Sequence, residues 1–384
     1  MTADIRPLLD DCVHCGFCLP TCPTYRLWGE EPDSPRGRIL LMDLVEKGEL
    51  AVTDTVVQHW DRCLGCMACV TSCPSGVRYD ALIESTRAKV EREYRRPRGE
   101  RWRRTALFSV LPYHRRLRPA AYALALRLPA PKLAPRLKLS AIRQQPPART
   151  PAQGAPRMRV AMLLGCVQRA FFGDVNAATA RVLAAYGCDV LAPRDQGCCG
   201  ALELHAGRAP AAERRRTALL DRLATLGADR IVVNSAGCGS ALKEADHPAA
   251  ALVRDVHEVL AELGPPVGLG RLDLRVAYHD ACHLGHAQGV RAQPRAVLAA
   301  IPGVQLLEVP DPEICCGSAG VYNLLQPDAA ADLGRRKAAA IDALRADVIA
   351  AANPGCLIQI AAYLERRIET LHPVQLIDRA LRGG

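Results

Sequence analysis

The sequence predicts an α+β multidomain chain, with an N-terminal helical, cysteine-rich module followed by two repeated α/β domains, each on a parallel sheet. Three observations carry this. Cysteine falls twice into one short run, Cys12, Cys15, Cys18, Cys22-Pro23 and Cys63, Cys66, Cys69, Cys73-Pro74. From Arg159 onward the chain repeats at a period of about 117 residues, pairing Cys166 with Cys282, Cys198-Cys199-Gly200 with Cys315-Cys316-Gly317, and Cys238 with Cys356. A basic, proline-rich stretch separates the two regions. At 384 residues and 49% hydrophobic, the chain can fill two or three cores of ordinary size.

The spacing C-x2-C-x2-C-x3-C-P is that of bacterial ferredoxins, in which three thiolates on a tight loop cap three irons of a cubane. The fourth, turned away by the proline, reaches the other cluster. The two runs therefore predict one [4Fe-4S] cluster on Cys12, Cys15, Cys18 and Cys73, and a second on Cys63, Cys66, Cys69 and Cys22. Zinc is the poorer match, because its sites are assembled from paired C-x2-C hooks without a third cysteine and a closing C-P. Disulfides are disfavoured because Met1 to Asp10 carries acids and no apolar core, so no secretory leader precedes Cys12. That reading places the chain in the cytoplasm with its thiols reduced. Apolar spacing in RGRILLMDLVEKGEL, TDTVVQHWDRC and DALIESTRAKVEREY predicts helices, so residues 1–94 form a helical ferredoxin-like module.

Residues 95–158 form the basic connecting segment. It holds 16 Lys or Arg against the single Glu100, so the rest of the chain is net negative although the whole is +10. It is expected to begin as short amphipathic helices and end as a tether. The charge suits a solvated face, a surface for anionic lipid headgroups, or a docking face for an acidic partner. Nucleic acid is excluded as the partner, since no recognised motif accompanies the charge and aromatics are only 4% of the chain. No charge-free apolar stretch reaches 18 residues, so membrane contact would be peripheral, at the inner face of the cell membrane.

Residues 159–270 and 271–384 are the two repeats. In each, a strand leads to the first cysteine (RVAMLLGC, RVAYHDAC), and a helix and second strand (CDVLAP, VQLLEVP) lead to Cys-Cys-Gly. A long helix and third strand (DRIVVNSAGC, ADVIAANPGC) end at the last cysteine. In a parallel sheet the strand ends collect on one edge, so the cysteines should converge in one crevice per domain. Cys166, Cys198, Cys199 and Cys238, and likewise Cys282, Cys315, Cys316 and Cys356, are therefore candidates for a further iron-sulfur or other metal centre, against redox-active thiols or packing. Cys188 has no counterpart, Val304 standing in its place, and reads as structural. His279, His283 and His286 surround Cys282, where the first repeat has Leu163, Val167 and Ala170; they read as local hydrogen-bonding groups. No G-x-G-x-x-G follows a strand and no P-loop occurs, so neither flavin nor nucleotide is expected on this chain.

The segments CVHCGFCLPTCPTY, DSPRGRI and DRCLGCMACVTSCPSGVRY, followed by two CCG-containing domains ending in SAGCG and NPGC, resemble the glycolate oxidase iron-sulfur subunit family over essentially the full length. The resemblance implies an electron-carrying subunit beside FAD-containing dehydrogenase subunits that oxidise glycolate or another 2-hydroxy acid. Electrons would pass through the clusters toward a quinone-type acceptor. The order is also similar to the iron-sulfur subunits of anaerobic glycerol-3-phosphate dehydrogenase and of lactate-oxidising complexes. The CCG domains resemble those of heterodisulfide reductases, whose pattern closes with C-x-x-C. Here Ser235 and Asn353 stand where the first cysteine of that pair would be, which argues against a noncubane cluster and disulfide-reductase chemistry. A thiol or disulfide enzyme and a non-enzymatic redox sensor are the competing functions. Arg36, Arg38 and Arg78 lie near the ligand loops, where cations raise a cluster's potential or merely cap helices.

Overall fold

The computed structural model describes residues 5–126, 139–266 and 268–383. Part of the basic connecting segment, 127–138, lies outside the described residues.

The N-terminal region is helical. Pro35–Glu46 starts where Ser34 Oγ accepts the Gly37 N–H, Asp54–Asp61 is capped the same way by Thr53, and Tyr79–Glu93 follows the second cysteine run. Their apolar stripes meet in one core containing Met42, Val56, Trp60, Leu82 and Ile83, with Cys63 and Cys69 at its edge. Full burial of each large side chain contributes about 1.5–3 kcal/mol.

The first repeat carries a five-stranded sheet: β1 (Arg149–Thr150), β2 (Met158–Met162), β3 (Cys188–Leu191), β4 (Arg230–Val233) and β5 (Val253–Asp255), in the order β1-β3-β2-β4-β5. Only β1 is antiparallel. The second repeats that topology as β7-β6-β8-β9, with β6 (Leu274–His279), β7 (Val304–Glu308), β8 (Val348–Ala351) and β9 (Glu369–Leu371) all parallel. In both sheets the first long strand is central and the order reverses at it, which opens a crevice beyond the strands' carboxyl ends.

The connecting segment is more than a tether. Its helices Arg98–Val110 and His114–Ala125 bury Phe108, Leu117 and Ala121, and β1 comes from its last residues, so the first sheet begins ahead of Arg159. Arg96 and Arg104 are nearly buried and share Asp61, Glu91 and Glu100, which moves two of the basic charges into an internal network.

The repeats join about a pseudo-two-fold axis. The helix Gly173–Ala185 of one packs on the last helix of the other, Pro373–Leu381, and the reciprocal pair is Val256–Leu263 with Ala292–Ala299. The shared core runs through both sheets, from Val160, Leu183 and Val232 to Val276, Leu298 and Ile377. Arg181 makes a bidentate pair with the nearly buried Asp378 across it, at 2.8 and 2.7 Å.

Candidate metal centres

The two N-terminal runs fold into loops of the same backbone shape. Two residues after the first cysteine the chain turns left-handed, at His14 (φ 53°) and Gly65 (φ 66°), and again just after the second, at Gly16 (φ 88°) and Met67 (φ 64°). Glycine relieves one turn in each loop, and His14 and Met67 are held left-handed at a cost of about 1–3 kcal/mol each. The alternation brings three successive thiols of each run toward a common point.

The fourth cysteine of each run crosses over. Cys12, Cys15, Cys18 and Cys73 line one open hollow, which Cys69 also lines. Cys22 lies instead with Cys63, Cys66 and Cys69, a group whose mutual repulsion adds to burial in opposing ionisation at Cys66 and Cys69. A hollow lined by clustered thiols suits an anionic, sulfide-bridged cubane.

The two sets differ in setting. Cys15 is exposed and flanked by exposed Val13 and Phe17. Cys22, Cys63, Cys66 and Cys69 are all buried. Burial pushes the Cys18 thiol up to about 11, and burial raises Cys66 and Cys69 further. At Cys63 burial is outweighed by Arg38 and Arg87, which draw its thiol below the ordinary range. Gly65 N–H and Tyr79 O–H point at its sulfur from 3.3 and 3.6 Å, the kind of bond that raises a cluster's potential.

The three arginines singled out in the sequence part company. Arg38 is 1% exposed, bonded to the carbonyl of His59, the hydroxyl of Thr24 and the carboxylate of Asp33, itself fully buried and also held by Arg62. This network backs Cys22, whose sulfur lies 3.3 Å from the Thr24 hydroxyl. Arg36 reaches the carbonyl of His14 in the exposed loop and is anchored by Glu31. Arg78 is exposed and bonds Asp80. Arg87, which sequence reasoning missed, donates to the carbonyls of Cys63 and His205 and ties the buried loop to the first repeat. Its helical position gave no local signal, because its partners are 24 and 118 residues away.

In each repeat the four sulfurs form a chain at the sheet's carboxyl edge. Cys166 and Cys198 are 3.4 Å apart, and Cys199 lies within hydrogen-bond reach of Cys198 and Cys238. Cys282 and Cys315 are 3.9 Å apart, and Cys316 bridges Cys315 to Cys356. Gly200 and Gly317 sit left-handed against Ala212 and Ala330, where an added Cβ would come within 2.6 and 2.7 Å of a carbonyl oxygen. All seventeen thiols are free, and Cys188 is enclosed in the shared apolar core.

The histidines also separate. His279 faces Cys316 and Cys356, with a ring nitrogen and the two sulfurs all within 4.8 Å of one another. His283 Nδ1 lies 3.5 Å from Cys282 Sγ, and its ring meets that of His205 at 4.7 Å. His286 is turned away, 2.7 Å from the Thr71 hydroxyl and bonded by Arg291. Cys66 and Leu64 share an apolar cluster with Cys315, Ala319 and Tyr322, against which Cys282 packs. The buried N-terminal loop thus rests directly on the second repeat's cysteines.

A helical module with two interleaved cysteine sets, seated on twin cysteine-rich α/β domains, defines an iron-sulfur protein of the electron-transfer class. Residues 8–77 match the model of the 4Fe-4S dicluster domain, and residues 160–243 and 276–361 each match that of the cysteine-rich domain known as CCG. The chain is 38% identical to the glycolate oxidase iron-sulfur subunit of Escherichia coli (strain K12), covering 97% of this chain and 94% of that protein. It is 33% identical to the Bacillus subtilis (strain 168) protein named "Probable glycolate oxidase iron-sulfur subunit", over 96% and 93%. A component of the dihydromethanophenazine:CoB–CoM heterodisulfide reductase of Methanosarcina acetivorans is 27% identical over 97% and 94%. The chain belongs to the glycolate oxidase iron-sulfur subunit family. Among the described residues no helix is long and apolar enough to cross a membrane.

Proposed function

We propose that this chain is the electron relay of a glycolate dehydrogenase complex. FAD-containing partner subunits would oxidise glycolate to glyoxylate, the flavin taking up two electrons. Cys12, Cys15, Cys18 and Cys73 would hold one [4Fe-4S] cluster and Cys63, Cys66, Cys69 and Cys22 a second, which would supply one-electron transfer from the flavin toward a quinone-type acceptor. The residues on this chain hold the clusters and set their potentials; none acts as a general base toward a hydroxy acid.

The observation that carries this reading is the gradient between the two sets. An exposed loop with an apolar fringe, Val13 and Phe17 about Cys15, offers an entry where a partner's flavin can approach. The second set lies wholly inside, behind Arg38 and Arg87. Cations near the inner cluster favour its reduced state, so electrons run inward.

The test replaces Cys15 or Cys66 with serine in the assembled complex. Flavin reduction by glycolate should persist while electron delivery to a quinone analogue stops. Loss of flavin reduction itself in a correctly assembled complex would sink the relay reading. Lactate and glycerol 3-phosphate, offered to the same complex, decide the substrate.

A further inference from the structure

We infer that the second cysteine-rich domain, and not the first, holds an iron-sulfur centre in which His279 supplies the ligand that a cysteine at position 353 would otherwise provide. The inference rests on the relay reading and extends its electron path.

His279 ends strand β6 and is 1% exposed, and its Nδ1 has no hydrogen-bond partner. The ring sits against Cys316 and Cys356 with donor atoms no more than 4.8 Å apart, close enough for one metal ion to take all three. Cys315 and Cys282 continue the set. Asn353 donates from Nδ2 to Cys356 Sγ at 3.6 Å, so this position supports the sulfur and offers no thiolate.

The first domain has the four sulfurs but not the histidine. Leu163 occupies the place of His279 and packs with Cys166, Cys198 and Cys199 in an apolar cluster with Leu219, Leu220 and Leu223. The contacts of Gly200 with Ala212 and of Gly317 with Ala330 align the two long helices, which sets Leu219 opposite Lys337. Lys337 is 4% exposed and bonded to the carbonyls of Asp311 and Pro310. The first domain's nearby cation, Arg215, is already neutralised by Glu203.

Position on the electron path favours iron over a redox-inert ion. The loop of Cys66 packs against Cys315 and Cys282 through Leu64 and Ala319. Replacing thiolate by imidazole on one iron raises the potential of a cluster. A centre with one imidazole would stand higher in potential than the same centre held by thiolates alone, and would take up a single electron with no bond made or broken.

The experiment uses the full chain purified anaerobically, with iron and sulfide analysis and pulsed EPR of the reduced protein. Wild type should hold more than the roughly eight iron of two cubanes, with a ¹⁴N coupling from imidazole on the extra signal. His279→Leu, which installs the first domain's residue, should lose the excess iron and the coupling. His279→Cys should keep the iron, lose the coupling and shift the signal to lower potential. Cys199→Ser in the first domain should change none of these. About eight iron in the wild type, an excess that is zinc, a ¹⁴N coupling that survives His279→Leu, or an excess lost with Cys199→Ser would each overturn the inference. Should His279→Leu not fold, the wild-type iron count and coupling still decide. The signals of the two N-terminal clusters report separately on the relay reading, so the two failures are distinguishable.

Discussion

Ser235 Oγ lies 3.4 Å from Asn353 Oδ1 across the pseudo-two-fold interface, and beside this contact Ala236 N–H donates to the carbonyl of Ala352. These are the two positions at which a C-x-x-C closing pair would carry its first cysteine. In this chain they join the domains to each other.

The bond between them is long and one of several crossing the interface, so Ser235→Ala should cost no more than about 1 kcal/mol. Asn353→Ala should cost more, since its Nδ2 also donates to Cys356 Sγ. Thermal unfolding of the two single variants checks the order; equal shifts would show that the bond to sulfur contributes nothing.

The local elements were legible in the sequence to the extent that each carries its own period. The helices Pro35–Glu46 and Tyr79–Glu93 and all the strands leading to cysteines lie where apolar spacing puts them. The assignment of Cys73 to the first cluster and Cys22 to the second is proposed from the spacing. What the sequence hides is long-range. Arg87, the juxtaposition of Cys66 with Cys282, and the different fates of His279 and His286 depend on how three units dock, and no local pattern encodes a contact between residues 71 and 286. The connecting segment misled for a related reason: its charge reads as surface, yet Arg96 and Arg104 are drawn inside by Asp61, Glu91 and Glu100.

Arg38 and Arg78, alike in sequence context, should behave oppositely. Arg38→Gln removes a buried cation beside Cys22 and Cys63 and leaves Asp33 to Arg62 and His59. The loss should be about 3 kcal/mol of stability, the low end for breaking a buried pair because two partners remain. The midpoint potential of the inner cluster should fall. Arg78→Gln should leave both quantities unchanged, its charge being exposed and spent on Asp80. Redox titration followed by EPR distinguishes them, and an unaltered potential in Arg38→Gln would remove the electrostatic role assigned to it.

Glu84 makes stability depend on pH. Burial first, then repulsion from Glu244 and Asp80, raises its carboxyl to about 8 against the attraction of Arg87 and Arg216, while the nearby His205 is kept neutral by burial. A carboxyl raised in the folded state is protonated there and ionised in the unfolded chain. Its stabilising contribution is complete below the ordinary carboxylate range and is lost as pH rises toward 8. Glu84→Gln should therefore flatten the decline of Tm between about pH 5 and 8 and melt a few degrees higher than wild type at the upper end of that window. Parallel Tm curves for the two proteins would contradict the assignment.

Removing iron should unfold the chain unevenly. The N-terminal core is built around the cysteines proposed to hold the clusters: Cys63 and Cys69 belong to it, and Cys12, Cys18 and Cys73 pack against it. Without clusters those thiols must be buried close together with nothing between them, and metal binding in such a module supplies much of its folding free energy. The paired α/β domains have a separate apolar core running through both sheets. After anaerobic treatment with a strong iron chelator, amide exchange should become fast in Pro35–Glu46, Asp54–Asp61 and Tyr79–Glu93 while the central strands Met158–Met162 and Leu274–His279 stay protected. Loss of protection in all five segments together would mean that the module and the sheets fold as one cooperative unit, with the contacts of Arg87 and Cys66 carrying more of the stability than the separate cores.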